Sequence, residues 1–232
     1  MKSKKAIVLL SGGLDSSTCL GVAVKEHGSK NVHAVTVTYG QRHSKETCCA
    51  KDVADHYGVS LHMIDLTEIF AGANCSLLSD SQEDVPDGTY YEQIHDKGVS
   101  TYVPFRNGLM VAAIASKALS INGDATWTVY LGVHSDDAAG DAYPDCSEEF
   151  VGAINNAVNI GTYGQVSVIA PFVGLHKSDI VKVGLEIGVP YELTWSCYKG
   201  GEKQCGKCAT CIDRREAFRL NGATDPVPYE EQ

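Results

Sequence analysis

The chain has 232 residues, 44% of them hydrophobic, enough for an α/β core and too apolar for a disordered or fibrous protein. Nineteen Lys and Arg stand against 29 Asp and Glu, and the net charge of −10 repels phosphate backbones and anionic headgroups. Stable binding to nucleic acid or to a membrane surface is therefore not expected, and a small-molecule substrate is.

The first apolar run, residues 6–10, is too short for the core of an export signal, and no later run could span a bilayer. A cytoplasmic location is expected, where nine cysteines favour metal binding over disulfides. The first run reads as a strand, and in chain order further strands are predicted over 31–38, 61–64, 126–131 and 166–170. Helical patterns fall at 15–26, 44–57, 108–119, 148–158 and 178–187. The alternation predicts an α/β fold: a doubly wound, mostly parallel sheet with helices on both faces and ligands at the carboxyl ends of its strands. Residues 1–232 are expected to form one domain with a small metal-binding segment near 195–215. Residues 71–103 lose periodicity and mark either an active-site lid or an insertion without a role.

The first strand runs into Leu9, Leu10, Ser11, Gly12, Gly13, Leu14, Asp15, Ser16 and Ser17. A glycine turn at a helix N-terminus presents free backbone N–H groups, an anion cradle. No Lys follows the glycines until Lys25, so this is not a Walker A loop, nor does it fit G-x-G-x-x-G. Asp15 beside a bound phosphate is tolerable if it caps the helix or if a divalent cation bridges the two. A plain strand-to-helix turn capped by Asp is the bland alternative.

Near the C-terminus Cys197, Cys205, Cys208 and Cys211 are separated by seven, two and two residues. Four thiolates at that spacing can close a tetrahedral zinc site with no open position, hence structural, and Lys199, Lys203 and Lys207 are near enough to offset its charge. An iron–sulfur cluster or unliganded core cysteines are the competing readings. Cys19, Cys48, Cys49, Cys75 and Cys146 are scattered and read as small core hydrophobes.

The string SGGLDSS after an apolar strand resembles the pyrophosphate loop of the N-type ATP pyrophosphatases, with their adenine nucleotide alpha hydrolase-like fold. The resemblance implies that residues 9–17 hold the β and γ phosphates of ATP while a substrate oxygen attacks the α-phosphorus and expels pyrophosphate. With the cysteine cluster, and with TYGQRH (38–43), YVPFRN (102–107), YPDC (143–146) and HKSDIVKVGLEIGVPYELTWSCY (176–198), residues 9–215 resemble the 7-cyano-7-deazaguanine synthase family of queuosine biosynthesis.

That resemblance implies an ATP-dependent ligase turning 7-carboxy-7-deazaguanine and ammonia into the nitrile through adenylated intermediates, with Mg²⁺, one structural Zn²⁺ per chain and a homodimeric state. A glutaminase domain would add on the order of 150 residues, so ammonia is expected from solution or another protein. Lys177, at a predicted helix start where the macrodipole disfavours a cation, and Arg106 are the candidates to neutralise phosphate charge alongside Asp15. Solvated surface positions are their bland readings. Tyr143 and Asp145 fit a flat, guanidine-edged base, with Tyr39, Tyr102, Phe105 and Asn107 nearby; Asp145 could equally cap the following helix and the aromatics could be core. Residues 132–146 are longer before Tyr143 than the family pattern, and His134 stands where Asn is frequent, so His134, Asp136 and Asp137 carry no assigned role. A tRNA-modifying adenylating enzyme would need a basic footprint that this chain lacks. A non-catalytic nucleotide- or zinc-binding module would differ by not turning over ATP.

Overall fold

The computed structural model describes residues 3–93, 99–138 and 142–230. Strand β1 (Lys4–Leu9) leads into α1 (Leu14–His27), then β2 (Val32–Thr38), α2 (Lys45–Tyr57), β3 (Ser60–Asp65) and two short helices, α3 (Thr67–Phe70) and α4 (Tyr90–Gln93). After α5 (Arg106–Ile121) come β4 (Thr126–Tyr130), the short α6 (Ser135–Ala138), α7 (Glu148–Gly161), β5 (Val166–Ile169), α8 (Lys177–Ile187) and α9 (Ala209–Leu220). The five strands form one parallel sheet in the order β3-β2-β1-β4-β5. The sheet and all five expected helices stand where the sequence placed them, to within a residue or two at most ends.

Both faces of a parallel sheet must be covered, and the period of two along β1 divides its side chains between two cores. Ile7 faces Met110, Val111, Ile114 and Ala118 of α5. Ala6 and Val8 face Leu14 and Leu20 of α1, Ile180 and Val181 of α8, and Phe218 of α9. Each fully buried Leu or Ile contributes about 1.5–3 kcal/mol of transfer free energy.

Helix α9 was not expected. Its inward face is Thr210, Cys211, Arg214, Ala217 and Phe218, a helical stripe whose middle is a charged residue. Arg214 is fully buried because all its donors are used: Nε and Nη2 on Asp225 (2.8 and 2.9 Å), Nη1 on Thr194 Oγ1 and Ser196 Oγ (2.7 and 3.2 Å), and Nη2 on the Tyr191 carbonyl (3.2 Å). This fixes the stretch 191–196.

The aperiodic stretch is pinned rather than loose where it is described. Cys75, Ser76, Leu77 and Leu78 are buried, Ser79 N–H donates to the Gly40 carbonyl (2.8 Å), and Ser76 N–H to that of Ser100 (2.8 Å). Its residues 94–98 lie outside the described residues, as do 139–141 of the longer segment before Tyr143.

Candidate active site

In this strand order the chain departs from β1 in both directions, and the crevice at the carboxyl ends of β1 and β4 is where such sheets take ligands. Two glycines let the loop after β1 lie there. Gly12 has φ +88°, and a Cβ on it would meet the Glu46 carbonyl oxygen at 2.2 Å and the Ala50 amide nitrogen at 2.5 Å. Gly132, after β4, approaches from the other side, where a Cβ would stand 3.0 Å from Asp15 and Ser16 backbone atoms.

Gly13 is the N-cap of α1 and no side chain caps that terminus. The first-turn amides therefore remain for a ligand, in a field that favours an anion. Ser11 and Ser16 brace the turn: Gly13 N–H donates to Ser11 Oγ (3.2 Å), Ser11 N–H to Ser16 Oγ (3.2 Å), and the two hydroxyls are 3.0 Å apart. Leu9, Leu10, Ser11, Gly13, Asp15 and Ser16 line one cavity with Arg106, Asn107 and Lys177. Gly12, Leu14 and Ser17 do not line it; Leu14 and Ser17 are buried behind the loop.

Asp15 does not cap the turn. Its Oδ2 lies 3.5 Å from Lys177 Nζ and 3.7 Å from His134 Nε2, while Oδ1 is buried without a hydrogen-bond partner. Burial alone would raise the Asp15 carboxyl, but Lys177 and then His134 outweigh it and hold it far below the usual carboxylate range. Burial likewise opposes the Lys177 charge, and Asp15 and Asp137 overcome it, so the ammonium is held above the ordinary lysine range. Lys177 is the first residue of α8, where its N–H is capped from a distance by Asp136 Oδ2 (2.8 Å), whose other oxygen pairs with His176 Nδ1 (2.7 Å).

His134 is fully buried with neither ring nitrogen hydrogen-bonded, and Asp137 Oδ2 sits 3.3 Å from Nε2. Burial disfavours its protonation, yet Asp137 and Asp15 raise its pKa. The segment left without a role in the sequence thus supplies His134, Asp136 and Asp137 to the charge cluster around Lys177. The signal was one histidine followed closely by two aspartates at the end of a strand.

Across the cavity, Arg106 starts α5, donates Nη1–H to Tyr39 OH (3.2 Å) and lies 5.2 Å from that ring. Tyr39 lines the cavity too, as does Glu46 of the first turn of α2, which the sequence reading did not single out. Burial pushes the Glu46 carboxyl up to about 7 against the opposing pull of Arg106.

The residues expected around a flat base are largely engaged elsewhere. Asp145 is buried, its Oδ2 accepting from Asn107 N–H (3.0 Å) and its carbonyl from Asn107 Nδ2 (3.1 Å); it caps α5, while Ser147 caps the helix after it. Tyr143 is buried, its hydroxyl bonded to Thr101 Oγ1 and its ring edge-on to Tyr90 at 5.6 Å. Phe105 is 59% exposed at φ +51° against Phe150, and Tyr102 OH accepts from Phe105 N–H (3.0 Å). Tyr102, Phe105, Tyr143 and Asp145 do not line the cavity, whose aromatic members are Tyr39, Tyr90 and Tyr198.

Cys197, Cys205, Cys208 and Cys211 are all buried, with their sulfurs within 4.8 Å of one another, a set that could hold a metal ion. Backbone amides are directed at two of the sulfurs: Lys199 and Cys205 N–H point at Cys197 Sγ (3.4 Å each), Lys207 and Cys208 N–H at Cys205 Sγ (3.4 and 3.3 Å). The Lys199 ammonium pairs with Asp87 (2.6 Å) instead. The cluster is tied to the loop, since Trp195 N–H donates to the Gly12 carbonyl (2.9 Å) and Trp195 Nε1 to that of Cys197 (2.7 Å).

Residues 5–222 match the family described as queuosine biosynthesis protein QueC. This chain belongs to the QueC family. Curated relatives carry the name 7-cyano-7-deazaguanine synthase: that of Pseudoalteromonas atlantica is 43% identical over 230 residues, covering 98% of this chain and 99% of the relative. That of Psychromonas ingrahamii is 40% identical and covers 99% of each. The resemblance read from the sequence blocks is therefore borne out over nearly the whole chain. Among solved structures, NMN synthetase from Francisella tularensis aligns at TM-score 0.50 and 13% identity, over 96% of this chain and 79% of that one. A 4-thiouridine synthetase, solved with RNA and ATP, aligns at TM-score 0.50 and 23% identity over 82% of this chain and 42% of that one. At these identities the likeness is one of fold, and it agrees with the expected parallel α/β architecture. Among the described residues no helix is long and apolar enough to cross a membrane.

Proposed function

We propose that this QueC-family chain is an ATP-dependent, nitrile-forming ligase that converts 7-carboxy-7-deazaguanine and ammonia to 7-cyano-7-deazaguanine by two successive adenylations. The observation that carries the reading is the single cavity lined by the uncapped glycine turn, Asp15, Lys177 and Arg106. Loss of two oxygens from a carboxylate needs each turned into a leaving group, and transfer to the α-phosphorus of ATP does that. The loop amides hold the β and γ phosphates, and Lys177 and Arg106 offset charge as the α-phosphorus is attacked. The orphaned Oδ1 of Asp15 fits a divalent cation, and Mg²⁺ held there would screen the triphosphate. The four cysteines fit one structural zinc, which would hold residues 195–215 in place. The same reading makes the protein a cytoplasmic homodimer, one domain per chain, acting on the free base; its net charge disfavours RNA.

The nucleotide products test the mechanism. Substrate-dependent turnover is expected to yield two AMP and two pyrophosphate per nitrile, read by chromatography and mass spectrometry with contaminating kinases excluded. ADP as the sole nucleotide product overturns adenylation.

A second expectation concerns Gly12. Ala there combines an unfavourable positive φ with collision against the α2 backbone. ATP affinity is expected to fall by roughly tenfold or more, by calorimetric titration. Unchanged affinity in the Gly12→Ala protein would place the nucleotide elsewhere.

A further inference from the structure

Building on the function just proposed, we infer that Glu46 is a catalytic base that takes the nitrogen-borne protons as ammonia becomes the amide and as the amide becomes the nitrile. Its placement carries the inference. Glu46 sits on the first turn of α2 with its own carbonyl against Gly12, so its side chain enters the cavity beside the phosphate loop.

The other carboxylates there already have partners. Asp15 faces Lys177 and His134, and Asp137 faces His134. The Glu46 side chain makes no hydrogen bond or ion pair among the described residues, so its carboxylate is available to a ligand. Glu46 shares the cavity lining with Arg106 from α5 and Tyr39 after β2. A carboxylate that lines the cavity without a side-chain partner is placed to take a proton from a bound substrate.

The reaction needs such a group only after the first activation. The substrate acid is already ionised and attacks the α-phosphorus without losing a proton. Ammonia then adds to the acyl carbon, and the resulting N–H⁺ gives its proton to Glu46 while the C–O bond to AMP breaks. In the second cycle the amide oxygen attacks the α-phosphorus and the nitrogen gives up a proton. The last N–H proton leaves as the electron pair forms the carbon–nitrogen triple bond and AMP departs with the oxygen. Glu46 releases each proton to solvent between steps.

This division gives the test. In Glu46→Gln, exchange of labelled pyrophosphate into ATP, driven by 7-carboxy-7-deazaguanine with ammonium withheld, is expected to stay within about threefold of the unaltered protein. Combined formation of amide and nitrile with ammonium present is expected to drop roughly a hundredfold or more, with Glu46→Asp in between. Retained exchange also reports an intact fold. Equal loss of exchange and product in Glu46→Gln overturns the inference in favour of a binding role, and undiminished nitrile formation overturns it outright. Absence of exchange in the unaltered protein would instead refute the adenylating function, so the two readings fail separately.

Discussion

Lys177→Ala is expected to lower nitrile formation by roughly a hundredfold or more with the fold intact, as for loss of a preorganised electrostatic group. The position is otherwise a poor one for a cation: it is 6% exposed and opens α8, where the helix field opposes positive charge. Asp136 already caps the Lys177 N–H, so removing the side chain leaves the helix start satisfied. What changes is the cavity. Asp15 loses the largest opposing charge, its pKa climbs, and an acid limb appears in the rate profile that the unaltered protein lacks in its working range. The linkage runs the same way for stability. A depressed carboxyl stabilises the fold above its unfolded pKa and that contribution is lost as pH falls; without Lys177 less of it exists to lose. Rates at saturating ATP across pH, with circular dichroism as the fold control, check both parts. Near-normal turnover would make Lys177 a structural counter-ion.

Metal removal is expected to damage both stability and nucleotide binding. Elemental analysis should find close to one zinc per chain, and stripping it should lower the melting temperature by roughly 10 °C or more. ATP affinity should fall with it, because Trp195 bonds Cys197 on one side and the Gly12 carbonyl of the loop on the other. A Cys208→Ala protein that folds fully and binds ATP without metal would refute the structural site. Iron with labile sulfide would replace zinc as its occupant.

The sheet and its main helices were legible because buried parallel strands are near-continuous apolar runs and their helices keep a helical period. Helix α9 was hidden because the centre of its buried face is Arg214, whose partners Thr194 and Asp225 lie outside the helix. The start of α5 was placed two residues late for a related reason: its cap, Asp145, comes from about forty residues away, where no local pattern announces it. The same remoteness explains the site. SGGLDSS is one unbroken string and the four cysteines fall within fifteen residues, so both stood out as candidates in the sequence alone. Asp145 and Tyr143 had the right chemistry for a base but are spent on α5 and on Thr101, while Glu46 carries no local mark of its place beside Gly12.

The central place of β1 also governs when the site can exist. Nearly the first segment made, β1 pairs with β2 across about 25 residues but with β4 across about 120, and its loop is bonded to Trp195. Contacts so far apart in sequence form late, since long loops must close before those contacts reward the closure. An emerging chain therefore carries its glycine turn exposed and incomplete until almost all of it has been synthesised. ATP capture during refolding should accordingly lag secondary structure and mark the last long-range closure, making the nucleotide a clock for the end of folding rather than a template for its beginning.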